Sequence, residues 1–181
     1  MDNRFTSVVC VDLLMKKNID NETYILLMKR KNTGFNDGEY ELPGGHLEAN
    51  EDLYEAMIRE ANEKLCINLR KENLNILYLM HHYTGDRLNF IFETDGNSLM
   101  PKIGEPNKCD EIIWVNINKL PNKTTDKVKI MINDIINNKN YNKLKLSTTI
   151  VDNFFFVNTY CLYLLLFFEQ FPYFSTCYSY C

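Results

Sequence analysis

The chain has 181 residues, 45% of them hydrophobic and 24% charged, which suffices for one domain with a proper core plus an appendage. A formal net charge of −4 argues against a protein that coats a polyanion, and no specific nucleic-acid binding is expected. The six cysteines Cys10, Cys66, Cys109, Cys161, Cys177 and Cys181 form no paired CxxC arrangement. Reduced thiols of a cytoplasmic protein are therefore expected rather than a zinc site.

The first residues carry no basic segment ahead of an apolar run, and Asp12 interrupts that run, so no signal peptide is read there. Phe5 to Leu14 is apolar and β-branched, which predicts a buried strand. Lys16 to Glu22 reads as a turn, and Tyr24 to Met28 as a second strand. Lys29, Arg30 and Lys31 form a basic cluster that is either a solvated strand end or a surface facing a phosphate chain. A loop with Gly34 and Gly38 leads to a short strand, Tyr40 to Leu42, and then to the turn Pro43-Gly44-Gly45.

The next stretch organises the chain. Leu53, Ala56, Met57, Ala61 and Leu65 fall on one stripe of a helix running roughly from Asp52 to Leu65. Glu60 and Glu63 share another face. Neighbouring carboxylates repel, and such a pair is either a solvated acidic surface or a set of oxygen ligands suited to Mg²⁺ or Mn²⁺. Cys66 falls where a helix commonly ends on a residue of positive φ, usually glycine.

Beyond the helix, Ile76 to Tyr83 and Arg87 to Glu93 read as a hairpin around Thr84-Gly85-Asp86. His81 and His82 are adjacent on a strand, point to opposite faces and are not expected to share a metal. Asp95 to Lys108 reads as a loop, Cys109 just after it is also placed in loop, and Ile112 to Val115 reads as a strand whose Trp114 is core. From Asp126, Val128, Met131, Ile132, Ile135 and Ile136 give an amphipathic helix, which Thr125 or Asp126 can cap. The order β-β-β-α-β-β-β-α suits an α/β protein with a mixed sheet covered on both faces.

The spacing from Gly45 through Glu51, Arg59, Glu60, Ala61 and Glu63 to Ile67 resembles the Nudix box, G-x5-E-x7-R-E-U-x-E-E-x-G-U, where U is aliphatic. Two positions depart from it: Lys64 stands for the last glutamate and Cys66 for the glycine. The likeness extends over roughly Arg4 to Tyr141, through KRKNTGFNDGEYELPGGHLE, GEPNKCDEIIW and the Leu-Pro segment before the last helix. It implies a Nudix-type α/β/α sandwich with a mixed β-sheet, over a domain of residues 1–145.

The resemblance also implies an activity: hydrolysis of a nucleoside diphosphate linked to another moiety, with Mg²⁺ or Mn²⁺ as cofactor. A (deoxy)nucleoside triphosphate is the first expected substrate, followed by ADP-ribose or another nucleotide sugar. A nucleotide-binding relative without catalysis is the alternative. The Gly45 carbonyl, Glu60 and Glu63 would hold the metal, and Glu60 could also serve as base. Arg59 would orient the carboxylates, and Glu51 would support the loop or ligate a second ion. One further acidic residue is expected from Glu105, Asp110 or Glu111. Lys29 and Arg30 would meet phosphates, and the loop Asn122 to Asp126 would read the base. Lys64 replaces a carboxylate by an ammonium, so metal affinity is expected to weaken.

Residues 146–181 fall outside the resemblance. Phe154 to Phe168 carries no charge, yet its length of about 15 residues is short of the ~20 that cross a bilayer. Three readings stand for this tail: a short membrane anchor, a segment packed on the domain or on a second subunit, or an ill-ordered or non-native extension; the protein is expected to be a monomer or a homodimer.

Overall fold

The computed structural model describes residues 4, 6–82 and 87–144. The tail, its three cysteines and the tip of the hairpin at Tyr83–Asp86 lie outside the described residues.

Strand β1 (Val8–Ile19) turns at Asp20-Asn21 into β2 (Glu22–Arg30). Both turn residues have positive φ, 49° and 63°, and this turn twists with the strands it joins. The strands are therefore longer than composition suggests, because Lys16 to Ile19 pairs with Glu22 to Ile25 instead of forming loop. Farther from the turn the two strands part. β2 then pairs with β3 (Tyr40–Glu41), and β1 with β4 (Gly44–His46). The expected Pro-Gly-Gly turn is thus half strand, with Val11 opposite Gly45 and Asp12 opposite Gly44.

On its other edge β1 runs parallel to β6 (Arg87–Asp95), which pairs antiparallel with β5 (Asn75–His81). β5 in turn carries the short parallel β8 (Tyr141–Lys143), an element too brief to be read from pattern. β7 (Cys109–Asn116) pairs with the outer edge of β2, and so Cys109 belongs to a strand and not to the preceding loop.

Alternation along β1 fixes the layers. Val11, Leu13 and Met15 pack with Ala56, Met57, Ala61 and Leu65 of helix α1 (Leu53–Leu65). Leu14 points the other way, to Val128, Met131 and Ile132 of helix α2 (Asp126–Ile136) together with Tyr78 and Met80. A strand covered on both faces is apolar at nearly every position, which is why β1 reads from Val8 to Met15 as an apolar run broken only by Asp12. The result is an α/β/α sandwich with a mixed sheet. Among the described residues no helix is long and apolar enough to cross a membrane.

Helix α1 owes its position to both ends. Asp52 accepts from the Tyr54 and Glu55 amides, and Glu55 returns a carboxylate to the Asp52 amide, a capping box. At the other end Cys66 adopts φ 53°, ψ 35°, the left-handed conformation expected at this place. Helix α2 begins differently. Thr125 is its N-cap, but the hydroxyl makes no capping bond and is engaged elsewhere.

Candidate active site

β4 and α1 bring the box residues together. Arg59 grips Glu51 with two hydrogen bonds, Nε to Oε2 at 3.0 Å and Nη2 to Oε1 at 2.8 Å. The same guanidinium donates to the His46 carbonyl at 2.9 Å and to Glu60 Oε1 at 2.9 Å, and lies 3.5 Å from Glu63. Hydrogen bonds from Arg59, helped by one from the Glu48 amide, hold the Glu51 carboxyl below its ordinary range against the opposing effect of burial. Arg59 thus contacts all three box glutamates, Glu51, Glu60 and Glu63.

Glu60 is buried, unlike the solvated acidic face that pattern alone allowed. A side chain at Gly45 would fall directly on the Glu60 carboxylate, so glycine there is what lets β4 and α1 approach so closely. Glu60 Oε2 is buried and makes no hydrogen bond, although the Lys64 ammonium lies 3.3 Å from it as an ion pair. Lys64 does not reach outward to water. Its side chain is 17% exposed, and Nζ donates to Glu105 Oε2 at 2.9 Å. Burial lowers the Lys64 pKa, but the Glu105 hydrogen bond and the Glu60 charge outweigh it, so the ammonium is held above its usual value.

Of the three acidic candidates, Glu105 is the one that meets a side chain of α1, through Lys64. Asp110 and Glu111 instead flank Lys29, at 3.4 and 3.3 Å. Lys29 is committed to these partners on β7. Arg30 organises the loop after β2, donating to the Phe35 carbonyl and the Thr33 hydroxyl. Neither basic side chain hydrogen-bonds to a box residue. Asp126 is exposed at the first turn of α2, 3.4 Å from Lys129.

The residues flanking Asp126 form a group that sequence reasoning missed. Lys127 is half-buried between Asp12 and Glu41, with Nζ 3.4 Å from Asp12 Oδ2 and 3.4 Å from Glu41 Oε2. Asn89 donates to Asp12 at 2.6 Å, and Thr125 to Glu41 at 2.8 Å. Burial raises the Asp12 carboxyl pKa, partly offset by Lys127. Burial also lowers the pKa of the nearby His82. The one sequence signal was Asp12 itself, a lone carboxylate inside an apolar strand. The group adjoins the box, since a side chain at Gly44 would strike the Val11 carbonyl and the Asp12 carboxylate. A separate groove of about 610 Å³, lined by Lys16, Asn18, Asn73, Glu93, Asp95 and Asn97 among others, contains no box residue.

Oxygen donors at Glu60 and Glu63, a glycine cradle and a buried oxygen without a hydrogen bond suit a hard divalent cation. Among the described residues no three His, Cys, Asp or Glu side chains gather as a cage. That does not conflict with magnesium, which commonly takes one or two carboxylates and completes its shell with substrate phosphates and water.

Comparison with known proteins gives this arrangement a family. Residues 4–133 match the model of the NUDIX domain. An ADP-ribose pyrophosphatase of Methanocaldococcus jannaschii is 34% identical over 125 residues, 68% of this chain and 70% of that protein. A MutT NUDIX hydrolase from Burkholderia pseudomallei superimposes with TM-score 0.60 at 25% identity, over 72% of this chain and 98% of that one. The NUDIX domain of Shewanella oneidensis NrtR, solved with ADP ribose, shares the fold at TM-score 0.59 and 17% identity, over 74% of this chain and 88% of that one. Box spacing, the Arg59-centred carboxylates on α1 and the domain match agree, and the chain belongs to the Nudix family.

Proposed function

We propose that this chain hydrolyses the phosphoanhydride of a nucleoside diphosphate linked to a second moiety, with ADP-ribose the first substrate to test. The observation that carries the reading is Glu60, buried against Gly45, fixed at Oε1 by Arg59 and left without a hydrogen bond at Oε2. ADP-ribose moves ahead of a nucleoside triphosphate because a relative of 34% identity is named for it. In the reaction, water attacks one phosphorus and the bond from that phosphorus to the bridging oxygen breaks. The proton lost by the water passes to the Glu60 carboxylate, and the departing phosphate takes the bond electrons. Arg59 holds Glu60, Glu51 and Glu63 in one orientation, so no reorganisation is needed as charge develops. A divalent cation held by the Gly45 carbonyl, Glu60 and Glu63 would supply neutralisation of the phosphate oxygens and a more acidic attacking water.

The test is a panel of ADP-ribose, other nucleotide sugars and (deoxy)nucleoside triphosphates with Mg²⁺ or Mn²⁺. AMP with ribose 5-phosphate is the expected product pair, abolished by EDTA. Release of nucleoside monophosphate and pyrophosphate from a triphosphate would reverse the substrate order. The inward Lys64 favours a second reading, binding without turnover. In that case ligands raise the melting temperature and no substrate in the panel is consumed.

A further inference from the structure

We propose that the Lys64 ammonium is a tethered cation standing in for a divalent ion at the box, so that this chain binds fewer metal ions than a box with glutamate there and grips a diphosphate partly through Lys64. The inference rests on the Nudix reading of the site and concerns the one box position where the chain exchanges an acid for a base.

Several independent contacts put the ammonium there. Glu60 and Lys64 are one helical turn apart on α1, and Nζ lies 3.3 Å from the buried Glu60 Oε2 that has no hydrogen bond. Glu105 closes the other side at 2.9 Å. Glu105 arrives there because its loop is docked on the end of α1. The Lys102 amide donates to the Leu65 carbonyl at 2.8 Å, and the Gly104 amide to the Lys64 carbonyl at 2.9 Å. A side chain at Gly104 would fall on the Glu63 carbonyl, so the loop approaches as closely as backbone permits.

A lysine on a helix surface ordinarily extends its ammonium to water, because burial costs solvation. Here the ammonium is turned in, between two carboxylates contributed by separate parts of the chain. Glu51, Glu60, Glu63 and Glu105 are met by Arg59, Lys64 and Lys108, which leaves one net negative charge. Glutamate at position 64 would leave three, a far stronger attraction for a divalent cation. An ammonium has three donors. Glu105 accepts from one, Glu60 pairs with the charge, and a remaining donor can serve a phosphate oxygen.

The test measures Mn²⁺ binding to the full chain by electron paramagnetic resonance, with no nucleotide present. Lys64→Glu should bind at least one more ion per chain, or bind Mn²⁺ at least tenfold more tightly, than the native chain. Lys64→Met keeps the apolar stem, removes the charge and should fall between them; it decides the matter if Lys64→Glu does not fold. In EDTA, calorimetry with ADP-ribose should show at least a tenfold loss of affinity in Lys64→Met. Equal stoichiometry and affinity for Mn²⁺ in native chain and folded variants overturns the proposal. So does undiminished metal-free ADP-ribose binding by Lys64→Met. Failure of every form to bind ADP-ribose overturns the assigned substrate instead, and the Mn²⁺ titration still decides the role of Lys64.

Discussion

Thr125 donates its hydroxyl to Glu41 at 2.8 Å, joining the start of α2 to β3 across 84 residues of sequence. The bond explains why Thr125 occupies the N-cap position without capping. Its hydroxyl completes a buried network in which Lys127 is the only cation facing both Asp12 and Glu41 among the described residues.

That network predicts a large effect at Lys127. Lys127→Met removes the ion-pair partner of buried Asp12, leaves buried Glu41 with Arg30 alone at 3.9 Å, and should lower stability by about 3–5 kcal/mol in urea unfolding. Adding Asp12→Asn, which removes one of those charges, should recover part of the loss in a double-mutant cycle. Additive losses would mean that the two side chains do not interact.

Glu60 and Glu63 should separate stability from catalysis. Glu60 is buried and paired with Arg59 and Lys64, so Glu60→Gln should cost about 1–3 kcal/mol and lower kcat by about 10²–10⁴. Glu63 is 49% exposed and only 3.5 Å from Arg59, so Glu63→Gln should change stability by less than about 0.5 kcal/mol while still lowering activity. Urea midpoints and initial rates on the same preparations check both.

Glu51 gives an acid limb to stability. Arg59 holds its folded pKa below the ordinary 4.5. A carboxyl depressed in the folded state binds protons more readily when unfolded, so its contribution is complete above the unfolded value. It is lost as pH falls through the lower, folded value. Unfolding free energy should therefore decline below about pH 4.5, and Glu51→Gln should flatten that part of the decline. An unchanged slope would show that the Glu51–Arg59 pair contributes nothing.

Cys66→Gly should stabilise the domain. Cys66 has φ 53°, a conformation that disfavours any residue with a Cβ. After the greater freedom of glycine in the unfolded chain is subtracted, the gain should be about 0.5–1 kcal/mol. Loss of stability would show that the Cys66 side chain makes contacts worth more than the strain.

The sequence by itself determined the helix that carries the box and the identity of its residues. The spacing of Glu51, Arg59, Glu60 and Glu63, the helix start near Asp52 and its end at Cys66 are all set by local sequence. Local backbone geometry decides which of these side chains meet. The strand ends at Ile19 and Cys109 were not legible, because pairing with a partner strand and not local composition sets them. Nor could the sequence choose Glu105 over Asp110 and Glu111, three acids within a few positions. Docking of the 102–105 loop on α1 brings Glu105, and neither of the others, to Lys64. The direction of Lys64 followed from it, since a flexible stem goes where its counter-charges are, 41 residues away. Lys127 reads as one more lysine on an amphipathic helix. Only the sheet, by placing Asp12 beneath it from 115 residues away, turns it inward as the partner of a buried carboxylate.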